Sequence, residues 1–193
     1  VRVKGSRSCA NWHVFVLIAD HEHVLFHSSE THDSETARTM LAGYKGYLLL
    51  DAASIYNDLF VHGGCIEVGC WAHLRRYVFK ALASEPVRAA EWMALINKIF
   101  EIDRATKPLS PSARTLERSR LAVPILDLME QWLRRQGPTI LPRTPLHAAM
   151  TYYENQRGAL HRFLGDGRLR VDNNESEGAL RKLVLGEENW QFF

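Results

Sequence analysis

Apolar and polar positions alternate over 11–20 and again over 22–28, around a short polar break at Asp20 and His21. Alternation at period two turns one side of each segment inward, so the pair predicts an antiparallel hairpin. From 34 to 44 the spacing becomes helical, with Ser34 or Asp33 placed to cap the first turn. Two short apolar runs follow at 46–51 and 65–69, and continuous runs of that length predict buried strands, the first of them parallel. A short helix at 53–60 joins them. Beyond residue 70 the period is 3.6. Leu74, Val78 and Leu82 share one face of a helix that opens at Trp71, and further helices are predicted at 86–104, 112–135 and 145–163. Their breaks fall at Lys107-Pro108, Ser110-Pro111, Gly137-Pro138 and the stretch from Pro142 to Pro145. Trp92, Leu95, Ile96, Ile99 and Phe100 mark the inner face of the first of these helices, and Leu121, Ile125, Leu128 and Trp132 that of the second. Pro124 should kink or split the second helix.

Composition narrows the class. A hydrophobic content of 46% over 193 residues is enough to bury a core in one or two units without staples. No apolar run approaches the roughly 18 residues of a membrane span. No charged-then-apolar leader is visible, so a cytoplasmic location is expected. Cys9, Cys65 and Cys70 make an odd set, which argues against a disulfide framework. The net charge of +2 is small, yet the cations cluster at Arg75, Arg76 and Lys80, at Arg134 and Arg135, and from Arg157 to Arg170. Local patches of that kind can bind phosphates without an extreme pI.

Three stretches carry candidate chemistry. From Val171 to Arg181 the chain reads VDNNESEGALR, directly before an apolar run. If Asp172 or Asn173 caps a helix there, Asn173, Glu177 and Arg181 share one face, and Leu180, Leu183 and Val184 turn to a core. A carboxylate on a rigid helix beside two carboxamides suits a metal ligand or general base. The same pattern also suits a capped helix with a solvated acidic first turn. Asp51 ends the first apolar run, where open α/β sheets present reactive groups, although it could equally cap the helix that follows. His73, Arg76 and Lys80 form a basic stripe on the helix after Cys70, fit for a phosphate backbone or simply for water. His62, Cys65, Cys70 and His73 offer four zinc-type ligands. Cys65 and Cys70 would face opposite ways on an extended strand, so a tetrahedral site would need a loop there.

Taken in order, these stretches resemble the transposases of the insertion-sequence-66 family, DDE enzymes with a ribonuclease-H-like core. The resemblance rests on Asp51 and Tyr56, on Cys70 to Arg76, on Tyr152, Gln156 and Leu160, on Asp172 to Glu177 with Arg181, and on Gly186 with Asn189-Trp190. It spans the whole chain. It departs at Gly178, where the family has Arg, and at Glu187-Glu188, where the family has Arg-Lys. The family's first catalytic Asp stands in a motif expected just before Val1, with Asp20 the next candidate inside the chain.

The resemblance implies an α/β fold: a ribonuclease-H-like mixed sheet, its first strand largely missing, interrupted by an all-α insertion. The implied division is 1–84 for the first part of the core, 85–165 for the helical insertion and 166–193 for the core helix carrying the last acid. It implies two-metal phosphoryl transfer, with two Mg²⁺ or Mn²⁺ ions roughly 3.5–4 Å apart in the complete enzyme. Asp51 and Glu177 would be the catalytic metal ligands, with Asn173, Asn174 and Arg181 supporting them and His73, Arg75, Arg76 and Lys80 touching DNA. The implied partners are double-stranded DNA, as transposon ends and target, and further copies of the chain in a transposition complex. With one acid outside it, the chain is expected to be inactive in isolation. The alternative is a transposase-derived DNA-binding or assembly module without catalysis.

Overall fold

Side-chain caps set where three of the described helices begin. The structure is a computed structural model and describes residues 2–4, 9–19 and 23–189, with side chains over 12–19 and 23–182. The strands are β1 (Arg2–Lys4), β2 (Cys9–Asn11), β3 (His13–Ala19), β4 (His23–Ser29), β5 (Tyr47–Leu50) and β6 (Ile66–Gly69). The helices are α1 (Ser34–Met40), α2 (Asn57–Val61), α3 (Trp71–Ala81), α4 (Pro86–Thr106), α5 (Pro111–Gln136), α6 (Pro145–His161) and α7 (Asn174–Asn189). The Asp33 carboxylate accepts from Thr36 N–H at 2.9 Å and starts α1, and this bond, the largest cause, lowers its pKa. Pro86, Pro111 and Pro145, the last two read as breaks, sit at the first turn of α4, α5 and α6, where a missing N–H costs nothing. Ser110 and Thr144 cap the last two of these by accepting from Ala113 and His147 N–H.

The molecule is mixed α/β, mostly helical, with small sheets. The described strands form three two-stranded sheets, β1–β2, β3–β4 and β5–β6, not one mixed sheet. The link from β5 to β6 runs through α2, and no described strand bridges one pair to the next. The expected hairpin is present as β3–β4, antiparallel with Phe15 opposite His27 and Leu17 opposite Leu25. Asp20 and His21 lie outside the described residues. Pro124 does not split α5, which runs unbroken through it. Pro124 is exposed, so water can take up the carbonyl its missing N–H leaves free.

Packing divides the chain into two compact units. One comprises Val1–Tyr47, Ala53–Ile66 and Asn173–Phe193, and in it β3 packs against α7. The other comprises Leu48–Ala52 and Glu67–Asp172. Its core joins Trp71, Leu74 and Val78 of α3 to Trp92, Ile96 and Ile99 of α4, Ala122, Leu126 and Met129 of α5, and Leu146, Tyr153 and Leu160 of α6. Trp92 stacks on Trp132 with ring centroids 5.3 Å apart. The inner face of α5 is rotated from the expected one: Leu128 is 47% exposed and Arg118 is fully buried.

Candidate active site

Leu50 is buried and the next residue, Asp51, is exposed, so β5 ends by delivering a carboxylate to solvent. Ala52 follows with φ 65°, a left-handed conformation that costs a residue with a Cβ about 1–2 kcal/mol. Strain of this kind concentrates at functional sites. On the neighbouring strand Glu67 is half-buried. Its carboxyl is raised by burial, an effect opposed by a hydrogen bond from the Gln156 amide and by the charge of Arg162. Arg162 also donates to the Glu67 carbonyl. Tyr152 of α6 stacks its ring on Tyr77 of α3 at 4.9 Å. Burial pushes the Tyr152 phenol well above its ordinary pKa, and Cys70, Asp51, Tyr77 and Glu67 push it the same way. Asp51, Glu67, Cys70 and Tyr152 therefore share one electrostatic neighbourhood.

Close packing holds α6 over β6. A Cβ on Gly69 would lie 2.9 Å from Leu160 N and 3.1 Å from Ala159 C, so only glycine allows this approach. Beside it, Trp71 Nε1 donates to the Leu160 carbonyl at 2.8 Å.

Cys70 occupies the cap position of α3, and the helix presents its cations along the exposed side. Arg76 lies 3.1 Å from His73 Nε2. A guanidinium can only donate, so Nε2 accepts and the imidazole proton sits on Nδ1. His73 is half-buried, turned toward Arg76 rather than out to solvent. Arg75 lies over the Phe100 ring at 5.8 Å and Lys80 over Tyr77 at 5.6 Å. The expected basic stripe is thus three exposed cations, Arg75 and Lys80 backed by aromatic rings and Arg76 by the half-buried His73.

In the other unit, Glu177 N–H donates to the Asn173 carbonyl at 3.2 Å, which makes Asn173 the cap of α7. Glu177 and Asn173 are half-buried, while Asn174 and Arg181 are exposed. Leu180 is half-buried, and the side chains of Leu183, Val184, Glu187 and Glu188 lie outside the described residues. Asp51 and Glu177 belong to different units.

A hard divalent cation takes oxygen donors, and the carboxylates of Asp51 and Glu177 fit it in type. Among the described residues no three His, Cys, Asp or Glu side chains gather to hold a metal ion. His62, Cys65, Cys70 and His73 form no such group among the described residues: His62 is 3.9 Å from Asp58, Cys65 Sγ lies 3.5 Å from the Tyr44 carbonyl, and Cys70 is buried at the α3 cap. Glu67 was not among the sequence candidates. The readable signal was on α6, where Tyr152 and Gln156 recur at i, i+4 and so share a face.

A model of the Transposase IS66 family matches residues 1–193. Among curated proteins, the uncharacterized protein y4hP of Sinorhizobium fredii is 26% identical over 185 residues, covering 87% of this chain and 34% of its own length. The uncharacterized protein y4qI of the same organism is 29% identical over 161 residues, covering 79% of this chain and 30% of its own length. The chain therefore spans about a third of the length of these relatives. No solved structure matches. No described helix is long and apolar enough to cross a membrane.

Proposed function

The chain belongs to the IS66 family of transposases, and from that premise we propose that it is part of the catalytic region that cuts and joins DNA strands at transposon ends. The observation that carries this reading is Asp51, an exposed carboxylate at a strand end followed by a strained residue. Asp51 and Glu177 would each offer a carboxylate to divalent cations, Mg²⁺ or Mn²⁺. Such ions would supply activation of the nucleophile and a counter-charge for the leaving oxygen. The protein's own work is orientation. Asn173 fixes the first turn of α7, which carries Glu177, and Asn174 and Arg181 stand exposed on the same helix to support it or meet phosphate. Arg75, Arg76 and Lys80 hold the DNA backbone, and His73 orients Arg76. The partners are double-stranded DNA and further copies of the chain, within a ribonuclease-H-like arrangement.

A second reading, a DNA-binding or assembly module without catalysis, is favoured by Glu187 and Glu188, which put negative charge where the family has positive. The two separate in one assay. The full-length protein is incubated with the DNA flanking its own gene and Mg²⁺ or Mn²⁺. Metal-dependent strand cleavage that falls at least roughly 10³-fold in Asp51→Asn supports catalysis, since metal ligands act as a unit. Tight DNA binding without cleavage by the wild type supports the module instead.

A further inference from the structure

The α6 face that packs on β6 holds two polar atoms the transposase reading leaves without a task. The Tyr152 hydroxyl and the Gln156 carboxamide oxygen are both buried, and neither has a hydrogen-bond partner among the described residues. An unpaired buried polar group is costly, so such groups are met by a protein partner, an ordered water or a ligand. Their orientation is constrained on both sides. The Tyr152 ring is pinned by its stack on Tyr77, which Lys80 covers in turn. The Gln156 amide donates to Glu67, which fixes its N–H side toward the carboxylate and leaves the oxygen as the free end. A tyrosine phenol is protonated at neutral pH, so Tyr152 offers an O–H donor. One turn away, Gln156 offers an acceptor.

A donor and an acceptor set side by side match a group that both accepts and donates. Phosphate oxygens only accept, and the carboxylates of Asp51 and Glu67 disfavour an anion there unless a cation intervenes. An ammonium only donates. A hydroxyl does both. We propose that Tyr152 and Gln156 form a niche for a hydroxyl group beside Asp51, the attacking water or the 3′-hydroxyl of a DNA strand, and so act as positioning residues for the nucleophile. The inference rests on the transposase reading. In the reaction the hydroxyl oxygen forms a bond to phosphorus. The bond from phosphorus to the bridging oxygen breaks, its electron pair leaving on that oxygen. The hydroxyl proton passes to solvent, and the leaving oxygen takes one from solvent. Tyr152 and Gln156 exchange no atom; they fix the direction of approach.

The test uses the full-length protein with Tyr152→Phe and Gln156→Leu, each checked for unchanged thermal stability, and Gln156→Asn as a conservative control. The first measurement is binding of a duplex of the flanking DNA in Mg²⁺, ending in a 3′-hydroxyl or a 3′-deoxy residue. The second is the rate of nicking intact DNA, where water attacks, against joining of pre-cut ends, where the 3′-hydroxyl attacks. If the niche takes the 3′-hydroxyl, wild-type protein prefers the hydroxyl terminus by about three- to tenfold. Both variants then lose that preference, and joining falls more than nicking. If it takes water, the termini bind alike and nicking falls more than joining. Either pattern supports the niche. Variants that leave binding preference, nicking and joining all within twofold of wild type overturn it, as do variants that lower nicking and joining equally. A wild type that prefers the hydroxyl terminus yet cuts nothing would retain the niche and remove the transposase reading. A wild type that neither cuts nor prefers that terminus removes both.

Discussion

Arg118 is fully buried, and its charge is met by Asp103 and by the carbonyls of Phe163, Asp166 and Leu169, at 3.2, 3.4 and 2.8 Å. Arg114 holds the same Asp103 oxygen at 3.0 Å. This one side chain ties α5 to the segment that follows α6. It also explains why the inner face of α5 reads wrongly in the sequence, where an Arg is assigned to solvent because buried charges are rare. Arg118→Met removes the bonds and strands the carbonyls, and should cost about 3 kcal/mol. Thermal denaturation should show a drop of roughly 6–12 °C. A change within 1 °C would show that the clasp carries no stability. A second buried group links stability to pH. His161 stacks on Trp71 and its Nε2 lies 3.1 Å from the Tyr153 hydroxyl, which donates to Glu130. Its pKa is lowered by burial first and by Arg157 second. The unfolded chain therefore takes up a proton near its ordinary value of about 6.5, before the folded one does. Stability is full above that pH and falls as pH drops through it toward the lower folded value. Chemical denaturation at pH 7.5 and 5.5 should show this loss, and His161→Phe should shrink it. An identical pH slope in that variant would rule out His161 as the source.

At the scale of elements, the helices were the most legible part, because three full helices between 86 and 163 repeat apolar residues at helical spacing and begin at prolines. The hairpin was legible for the same reason, since alternation survives wherever one face is half-buried. The sheet was not. Strand partners are set by contacts far apart in sequence, and nothing in the local pattern of 46–51 or 65–69 says which strand each joins. Asp51 was readable as a strand-end acid, but the electrostatic neighbourhood around it depends on how α6 lies over β6, which the sequence shows only as a glycine. Gly69→Ala tests that packing. Its Cβ would press on the backbone of Ala159 and Leu160, so α6 must shift, at a cost of about 1–3 kcal/mol. The shift should also lower DNA cleavage, since Tyr152 and Gln156 ride on α6. Wild-type stability together with wild-type activity would contradict the role given to this contact.

For the whole molecule, a net charge of +2 is too small to draw DNA by itself, so the proposed binding would come from local cations such as Arg75, Arg76 and Lys80. On that reading Glu187 and Glu188 would oppose it. In the full-length protein, Glu187→Arg with Glu188→Lys should tighten DNA binding and steepen its salt dependence by up to about two units of log–log slope. An unchanged slope would place those positions away from DNA. The central claim is that Asp51 and Glu177 serve one metal-dependent reaction although they sit 126 positions apart. The most direct measurement is a double-mutant cycle on the Mn²⁺-dependent cleavage rate, with Asp51→Asn, Glu177→Gln and the pair. If both carboxylates serve the same reacting centre, each single change costs at least roughly 10³-fold and the double costs little more. Losses that multiply in the double variant, or robust cleavage by either single variant, would contradict the account.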